Sequence, residues 1–371
     1  MPFNANQNFI YSLKSGIKSI SFNTPGLVTL PSWLSFSCAS TRTAQISANA
    51  LIKNVSTNQA VANMWGLQHE PSATNYCVYS ENFGSWAKVG AATRTLGITD
   101  PAGGTTGATI TTVPNDYGYY PPAQVIAGNI CISGWVKTNT HSNIGTTSGA
   151  AQPTWGFTVP SPGNGSVWQL YSGSWNQSSN ATSPIISNTF STTTAPGGDT
   201  TATGGNYAFV QMENSLFPSS YIITPSSAPI TRAMSFLTFK PKTQTSFSFR
   251  FDFIAAAPST GYLQALIVNE NAPSCYNYIG VDGKINSHSG NDLVDTNALV
   301  WVPGDKISFR FKFNNTTSYT INVYKNDVFY YTKTFTHSAI PTFNSSGQTF
   351  IASNSSGTFL YNKGITYVSM Q

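Results

Sequence analysis

The sequence contains little charge. Asp, Glu, Lys and Arg make up 8% of its 371 residues, against about 25% in an average soluble domain. A disordered chain combines low hydrophobicity with high charge, whereas here hydrophobic residues reach 40% and aromatic residues 13%. The chain can therefore bury a core. Its polarity comes from hydroxyl and amide side chains, which suits a protein that works outside cells or packs beside copies of itself.

Basic residues form no cluster along the chain. Lys and Arg together number 18, they are scattered, and the net charge is only +5. A nucleic-acid-binding protein concentrates basic residues in one run or on one face. The sequence therefore argues against a nucleic-acid partner.

Cysteine is also scarce. The four cysteines lie far apart and form no CxxC pair, which excludes a dense disulfide framework and argues against a zinc site. We expect mostly buried thiols at these four positions: Cys38, Cys77, Cys131 and Cys275.

Long apolar runs are missing as well. The N-terminal stretch MPFNANQNFIYSLKSG lacks the apolar core of a signal peptide. No window approaches the ~20 apolar residues of a membrane span. We therefore expect neither export by the general secretory route nor insertion into a membrane.

No long window carries the apolar stripe of an amphipathic helix, and period-two patterns take its place. In SFSFRFDF (246–253) and ISFRFKF (307–313) apolar residues alternate with polar ones, which places the two sets on opposite faces of a strand. Residues 318–335 predict a hairpin that turns at Lys325–Asn326–Asp327. The sequence predicts an all-β protein.

A short Gln-x-Glu pattern occurs twice. Gln68 and Glu70 recur as Gln211 and Glu213 about one domain length later. On a strand, residues i and i+2 share a face, so each pair is suited to hydrogen-bond a neighbouring backbone at a junction between modules. His69 and Glu70, by contrast, are adjacent and point to opposite faces, which argues against a catalytic pair.

Two stretches resemble the entry region of tailed-phage fibre proteins. LSFSCASTRTAQIS (34–47) is similar to their FxRASxAT strand, and WGLQHEPSATNYCVYSENFGSWAKVG (65–90) to the strand pair that follows. The matching residues are Phe36, Ala39, Ser40, Thr41, Gly66, Leu67, Glu70, Thr74, Asn75, Tyr79, Ser80, Glu81, Phe83 and Trp86. The chain departs from the group at Cys38, where arginine is usual, and at Gln68–His69, where an apolar pair is usual.

The end of the same module is matched too. YAFVQMENSLFPSSYIITPSSAPITRA (207–233) resembles the closing motif of the group, and GDKISFRFKFNNTTSYTINVYKND (304–327) resembles the hairpin of a following concanavalin-like sandwich. The residues that match the closing motif are Gln211, Glu213, Ser220, Tyr221, Ile222, Thr224, Thr231, Arg232 and Ala233. The resemblance covers roughly residues 30–371. It assigns Gln68, Glu70, Gln211, Glu213 and Arg232 to module junctions.

The resemblance implies a virion structural protein, a tail or head fibre. Its expected parts are an N-terminal virion-attachment segment (1–75), a carbohydrate-binding-module-like β-sandwich (76–232) and a concanavalin-like or lectin-like β-sandwich (233–371). Such fibres are usually homotrimers that dock to other virion proteins (portal, adaptor, tail or capsid), are exposed on the extracellular particle and contact host cell-surface polysaccharide. The alternative is a purely architectural capsid-decoration or tail component that binds no host ligand.

A polysaccharide-degrading fibre is a further alternative, which the sequence disfavours. No GxSxG, HExxH or phosphate-binding loop is present, and the short repeat of a parallel β-helix is missing. A glycosidase needs two carboxylates about 5 to 9.5 Å apart. The tryptophan-rich module has few acidic residues, among them Asp100, Asp116, Asp199 and Glu213. We expect no enzymatic activity.

Aromatic residues in polar loops are the candidate sugar contacts. Aromatic rings stack on the apolar faces of sugars, while amides and hydroxyls pair with sugar hydroxyl groups. The same rings could instead fill the core or a subunit interface. The candidates are Trp155, Trp168, Tyr171 and Trp175, together with Tyr117, Tyr119 and Tyr120 of DYGYY.

The loop DGKINSHSGNDLVD (282–295) concentrates side-chain oxygens at Asp282, Asn286, Asn291, Asp292 and Asp295. Carboxylate and amide oxygens are the ligands that Ca²⁺ prefers. The spacing does not fit an EF-hand, and solvated turn residues are the alternative interpretation. No other cofactor is expected.

Overall fold

A computed structural model describes residues 18–47, 49–113, 118–138, 142–147, 153–159, 165, 167–181, 183–187, 203–239, 247–256, 258–260, 264–269, 275–288, 292–315, 317–337, 349–353 and 362–371. Over these residues the chain is all-β, as predicted, with strands joined by turns and one short 3-10 helix at Phe83–Ser85.

The strands of the first part of the chain are β1 (Lys18–Ser21), β2 (Gly26–Leu27), β3 (Leu34–Cys38), β4 (Arg42–Ser47), β5 (Ala50–Val55), β6 (Val61–Asn63), β7 (Gly66–Leu67), β8 (Ala73–Asn75), β9 (Ala87–Lys88), β10 (Thr93–Ile98), β11 (Gly107–Thr112), β12 (Tyr119–Tyr120), β13 (Ile126–Lys137), β14 (Ser142–Thr147), β15 (Pro153–Val159), β16 (Gln169–Ala181), β17 (Ser183–Ser187), β18 (Thr203–Glu213) and β19 (Ile230–Arg232). Those that follow are β20 (Ser235–Phe239), β21 (Phe247–Ala255), β22 (Gln264–Asn269), β23 (Cys275–Ile279), β24 (Lys284–His288), β25 (Asp292–Ala298), β26 (Lys306–Phe313), β27 (Ser318–Lys325), β28 (Val328–Thr336), β29 (Thr349–Ile351) and β30 (Asn362–Met370).

The chain forms two compact units. The first unit comprises Met1–Thr41, Val55–Ser72 and Ala233–Gln371, and the second comprises Arg42–Asn54 and Ala73–Arg232. This division differs from the predicted one, in which residues 1–75 form a segment of their own. The reason is strand pairing: β1 and β7 pair with β30, and β3 pairs with β20.

The first unit contains two antiparallel sheets. One has nine strands in the order β2-β6-β7-β30-β21-β26-β27-β28, with β1 also paired to β30. The other has seven strands in the order β25-β24-β23-β22-β29-β20-β3. Both sheets contribute to a single hydrophobic core, which is the architecture of a β-sandwich. The N-terminal strands therefore complete this sandwich.

The phenylalanine ladders lie at the centre of that core. Phe251 of β21 and Phe309 of β26 are directly opposite each other and completely buried. The rings of Phe253 and Phe309 lie parallel with centroids 6.2 Å apart, within the range in which aromatic pairs attract. The predicted period-two strands are confirmed, with their apolar positions facing inward.

The predicted hairpin is formed by β27 and β28, which pair from Ser318–Thr336 to Lys325–Val328. Asn326 and Asp327 have φ angles of 51° and 65°. Positive φ at both central residues is the geometry of a type I′ turn, whose twist matches that of the two strands, and asparagine and aspartate tolerate it well. The turn prediction is confirmed.

Gly66 allows β7 to approach β30. Its φ is +126°, and a Cβ atom at this position would lie 2.4 Å from the carbonyl oxygen of Ile365. Gly364, on the opposing strand, is also crowded, since a Cβ there would lie 2.8 Å from the backbone of Trp65. Only residues without a side chain permit this close pairing.

The second unit is also a sandwich. One sheet has the order β10-β11-β18-β13-β16 and the other the order β15-β14-β17-β12-β9. Gly134 of the central strand β13 faces the opposite sheet, where a Cβ would lie 3.2 Å from the Ile144 side chain. The strands β8 and β19, at the two ends of the segment Ala73–Arg232, pair with each other. This segment is therefore closed by its own ends.

The structure describes the side chains of three of the four cysteines. Cys38, Cys77 and Cys131 are buried free thiols, as predicted. Burial raises the pKa of Cys77, and burial together with the nearby charge of Glu213 raises that of Cys131. Both therefore stay protonated and unreactive. In the part of the chain that the structure describes, no helix has the length and apolar character needed to cross a membrane.

Candidate functional site

The Gln-x-Glu pair of the second unit anchors a buried hydrogen-bond network. Gln211 donates from Nε2 to Glu213 Oε2 at 2.7 Å, and its Oε1 accepts the backbone N–H of Ile222 at 2.7 Å. Glu213 also accepts the Ser219 backbone N–H at 2.9 Å and the Ser219 hydroxyl at 2.5 Å. Two side chains of one strand thus fix the chain that leaves it, over residues 219–222.

Arg232 supplies the positive charge of this network. Its side chain is 1% exposed, as is that of Glu213. It donates to the carbonyl oxygen of Ser220 at 3.4 Å and to the Ser220 hydroxyl. Burial raises the pKa of Glu213, and the hydrogen bonds from Ser219, the charge of Arg232 and the hydrogen bond from Gln211 oppose that rise. Arg232 therefore helps a buried carboxylate to remain ionised.

The first unit repeats the same side-chain pair. Gln68 donates from Nε2 to Glu70 Oε2 at 2.6 Å. The Glu70 backbone N–H donates to the Ser235 hydroxyl at 2.7 Å, and its carbonyl oxygen accepts the Ser235 N–H at 3.0 Å. Both Gln-x-Glu pairs therefore form the same side-chain hydrogen bond. In the second unit the side chains also hold residues 219–222, whereas in the first unit the Glu70 backbone makes the connection to Ser235.

Two of the predicted sugar-contacting rings lie in the interior. Trp168 is 8% exposed, packs with Trp135 and Phe209, and donates from Nε1 to the carbonyl oxygen of Thr99 at 3.2 Å. Tyr119 is 6% exposed and its ring lies 4.5 Å beneath the guanidinium of Arg94. These positions do not suit stacking on a ligand, because aromatic area that fills a core cannot also face solvent.

Trp175 and Tyr171 lie at an edge of the second unit. Both are on β16, which is the terminal strand of its sheet among the described residues, and they lie opposite Ile130 and Gly134 of β13. Each ring packs against the hydrophobic core and is partly exposed. The Tyr171 hydroxyl donates to Gln169 Oε1. One side of each ring is therefore held in place while another part reaches solvent.

Hydroxyl and amide groups occupy the other face of β16. Ser172, Ser174 and Asn176 are exposed, and Asn176 donates from Nδ2 to Asn129 Oδ1 at 2.9 Å. Of the remaining candidates, Tyr120 is partly exposed and Trp155 lies on β15 opposite Thr146. The side chain of Trp155, and Tyr117 as a whole, lie outside the described residues.

In the described part of the acidic loop, the carboxylates of Asp282 and Asp295 are each paired with a lysine. Asp282 pairs with Lys284 at 3.2 Å, and Asp295 pairs with Lys333 at 3.3 Å and accepts the Tyr331 hydroxyl. Burial opposes ionisation of Asp295, but those partners and the Asn297 N–H lower its pKa. Asp292 lies on β25, and its side chain is outside the described residues, as is Asn291. Over the described ranges, no group of three or more His, Cys, Asp or Glu residues is placed to hold a metal.

A serine–histidine pair lies inside the first unit. Ser287 Oγ and His337 Nε2 are 2.7 Å apart, and the Tyr319 hydroxyl joins Ser287 to Asn277. A catalytic serine needs an adjacent base such as histidine to activate its hydroxyl. Here, however, Ser287 is only 1% exposed and His337 only 3% exposed. Burial and the charge of His288 lower the pKa of His337. A substrate cannot reach the hydroxyl, so the pair acts as a polar link within the sandwich.

Two acidic side chains of the second unit, Asp100 and Glu213, stabilise the fold. Asp100 Oδ1 accepts the N–H groups of Ala102 at 2.8 Å and Gly104 at 3.0 Å, and Oδ2 accepts the Thr106 hydroxyl at 2.8 Å. Asp100 thereby fixes its own loop, as Glu213 fixes residues 219–222. Neither carboxylate is placed as a glycosidase acid.

No protein-family model and no curated protein matches the sequence. Three solved structures illustrate what the fold is similar to. Domains LG4-5 of the mouse laminin alpha1 chain match at 8% identity and a TM-score of 0.24, covering 81% of this chain and 88% of that one. The CBM22-1–CBM22-2 tandem of Paenibacillus barcinonensis Xyn10C matches at 9% identity and a TM-score of 0.25, covering 82% and 97%.

The third structure is a truncated AlyQ with CBM32 and alginate lyase domains. It matches at 10% identity and a TM-score of 0.19, covering 82% of this chain and 96% of that one. TM-scores this low carry no argument about function. The sandwich architecture follows from the strand pairing itself.

Proposed function

We propose that this protein is a structural protein of a tailed-phage virion, a tail or head fibre that projects from the particle and contacts host surface glycans. The proposal is supported by the sequence resemblance over residues 30–371, by the low charge, and by a fold of two sandwiches with polar hydrogen-bond networks at strand ends. The fibre would assemble in the host cytoplasm and be exposed on the extracellular particle.

The proposed contact with glycans rests on the position of the Trp175 ring. The ring packs against the core and is partly exposed on β16, so its orientation is fixed before a ligand arrives. Pre-orientation reduces the entropy lost on binding. Tyr171 lies on the same side of β16, four residues away. Weak contacts of this kind, repeated over several copies in a particle, produce strong adsorption by avidity.

Replacing Trp175 by alanine should weaken binding of the second unit to host capsular or wall polysaccharide by about tenfold, since a ring contact contributes about 1.4 kcal/mol. Trp175→Phe, which keeps a ring, should recover most of the affinity. Binding of the purified full chain is measured by affinity electrophoresis in gels containing the polysaccharide.

Leu170→Ala is the matched control, because Leu170 is 37% exposed on the same strand but on its other face. Equal loss in both variants would point to general unfolding of β16. If wild-type protein binds no host polysaccharide, and particles lacking the two sandwiches still adsorb, the architectural role replaces the proposal.

We also propose that the chain forms homotrimers, which dock to other virion proteins. Within the described residues β28 is the terminal strand of the nine-stranded sheet, and it exposes Val328, Phe329 and Tyr330. Val300 lies beside them, since its N–H donates to the Tyr330 hydroxyl at 3.0 Å. An exposed apolar edge strand pairs readily with another chain, and a second and third copy would cover it.

Val328→Lys should convert the trimer into monomer, because a charge at this edge opposes strand pairing. Val125→Lys is the control: Val125 is 73% exposed, against 69% for Val328, but lies in the second unit. Sedimentation equilibrium gives the mass of each variant. A monomeric wild type, or a trimer that survives Val328→Lys, would contradict this assignment of the interface.

A further inference from the structure

The outer face of the nine-stranded sheet carries an arrangement of cations and aromatic rings. Because the phenylalanines of β21 and β26 point inward, the residues between them point outward. Arg250 of β21 lies directly opposite Arg310 of β26. Lys312 follows two positions along β26, and Tyr324 of β27 and Tyr367 of β30 lie beside the two arginines. We call these five residues the basic face.

One of the arginines on the basic face is neutralised. Arg250 donates from Nε to Asp252 Oδ1 at 2.8 Å, and its guanidinium lies 4.8 Å from the centroid of the Tyr367 ring. The bond to Asp252 is the main cause that raises the pKa of Arg250. This ion pair therefore accounts for one of the three cations.

Among the described residues, the other two cations have no carboxylate partner. The Arg310 guanidinium lies 3.8 Å from the centroid of the Tyr324 ring, and its Nε, which is buried, has no hydrogen-bond partner among the described residues. Lys312 is exposed and forms no ion pair with a residue that the structure describes. The nearby carboxylate of Asp327 is paired with Lys306 at 2.8 Å. Because Arg250 is already paired with Asp252, Arg310 and Lys312 are the cations of the basic face that can pair with an anionic ligand.

Neutral hydrogen-bonding groups continue the same face. Asn322 lies opposite Arg310, and its Oδ1 accepts the Thr332 hydroxyl at 2.7 Å. Thr320 lies opposite Lys312, and its hydroxyl is 2.9 Å from that of Thr334. Two rows of side chains therefore run across β26, β27 and β28. Each row begins with a cation on β26, continues with an amide or hydroxyl on β27 and ends with a hydroxyl on β28. A ligand that combines anionic groups with many hydroxyls matches this pattern.

We propose that the basic face binds an acidic polysaccharide, whose sugar carboxylates pair with Arg310 and Lys312 and whose hydroxyls meet the row Thr320–Asn322. The guanidinium of Arg310 presents a planar pair of donors that suits a carboxylate. A nucleic acid is disfavoured, because single strands need uncovered rings for base stacking and both tyrosines here lie beneath guanidinium groups. The choice of a glycan rests on the proposed function, and the site is separate from Trp175.

The test uses the full chain and three polymers, polygalacturonate, neutral dextran and an oligodeoxythymidylate, in isothermal titration calorimetry. Wild-type protein should bind polygalacturonate and not dextran, with an affinity that falls as salt rises, because the contacts are ionic and exposed. The double substitution Arg310→Gln/Lys312→Gln should weaken binding by about tenfold or more, the loss expected for two charge-assisted contacts at a surface.

Lys284→Gln is the matched control, since it removes a cation of the same unit that is paired with Asp282 away from this face, and it should bind as wild type. Arg310→Lys should recover part of the affinity, because the charge returns without the planar donors. Far-ultraviolet circular dichroism melting of each variant separates loss of binding from loss of fold.

Three results would overturn the inference: equal binding of polygalacturonate and dextran, an unchanged affinity in the double variant, or tighter binding of an oligodeoxythymidylate than of polygalacturonate. Failure here is distinguishable from failure of the proposed function. If host polysaccharide still binds and still depends on Trp175, the proposed function stands and only the basic face loses its ligand. If neither polymer nor host polysaccharide binds, both fail.

Discussion

Replacing Arg232 by methionine should destabilise the second unit by about 3–5 kcal/mol, the usual cost of removing one partner from a buried charged network. Methionine fills much of the space, so the loss measures charge and hydrogen bonding more than packing. Glu213 would remain 1% exposed with its carboxylate among hydrogen-bond donors but without the nearby cation. Denaturant-induced unfolding of the full chain, followed by fluorescence, measures the change.

The destabilisation caused by Arg232→Met should be larger at high pH than at low pH. Burial already raises the folded-state pKa of Glu213 above its unfolded value. Between those two pKa values the folded state binds more protons than the unfolded state. The contribution of Glu213 to the free energy of unfolding is therefore most favourable below its unfolded pKa. It declines as the pH rises towards the folded pKa. Without the charge of Arg232 the folded pKa rises further. Arg232→Met should therefore cost less at pH 5 than at pH 8.

The double variant Arg232→Met/Glu213→Gln completes the cycle. It should regain part of the stability lost in Arg232→Met and should lack its pH dependence, because no buried carboxylate remains. Arg94→Met is the control, since Arg94 binds the carbonyl oxygen of Trp86 at 3.0 Å in the same unit. A loss independent of pH in Arg232→Met, or strict additivity in the cycle, would refute coupling between the two residues.

Gly66→Ala should destabilise the first unit by about 2–5 kcal/mol, from backbone strain together with a steric clash. The strain arises from a φ of +126°, and the clash from a Cβ only 2.4 Å from the Ile365 carbonyl oxygen. The strand β7 should then separate from β30. Hydrogen–deuterium exchange should show faster exchange over residues 61–67 before any other part of the unit loosens.

Gly26→Ala separates the two causes. Gly26 has a similar φ of +138°, but a Cβ there would have no neighbour within 4 Å. It should cost only the strain, about 1–3 kcal/mol. If Gly26→Ala is as damaging as Gly66→Ala, the close approach to β30 is not what requires a glycine at position 66.

The sequence predicted the fold best where apolar and polar residues alternate regularly. The ladders at 247–253 and 307–313 alternate without interruption, and a strand buried on one face must alternate in this way. The hairpin followed from Asn326–Asp327, because few residues tolerate positive φ at both turn positions. In both places local pattern and tertiary packing favour the same structure.

Pairing over long sequence distances could not be predicted in the same way. The strands β2 and β7 have two residues each, which is too short for any period, and their partners are set by packing and by glycine at position 66. The aromatic candidates show a related limit. Trp168 and Trp175 occur in similar polar surroundings along the chain, yet one is in a core and the other at an edge, because burial depends on residues distant in sequence.

The residues of the basic face are far apart in the sequence. The scattered basic residues argued against a nucleic-acid partner, and three of them, Arg250, Arg310 and Lys312, occupy the outward positions of the two phenylalanine ladders. Strand pairing places them side by side. The cluster exists only in the folded sheet, because it depends on which strands are neighbours.

The discontinuous first unit constrains the order of folding. Its opening strand β1 has β30 as its partner, so the two halves of the pair leave the ribosome more than 300 residues apart by the numbering of the chain. Until β30 emerges, β1 and β7 lack the strand that they flank. By then the strands of the second unit, which are β4, β5 and β8 to β19, have all been synthesised. The inserted sandwich can thus fold during synthesis, and the surrounding one must wait for a late, long-range closure of the kind that slows folding and calls for chaperones.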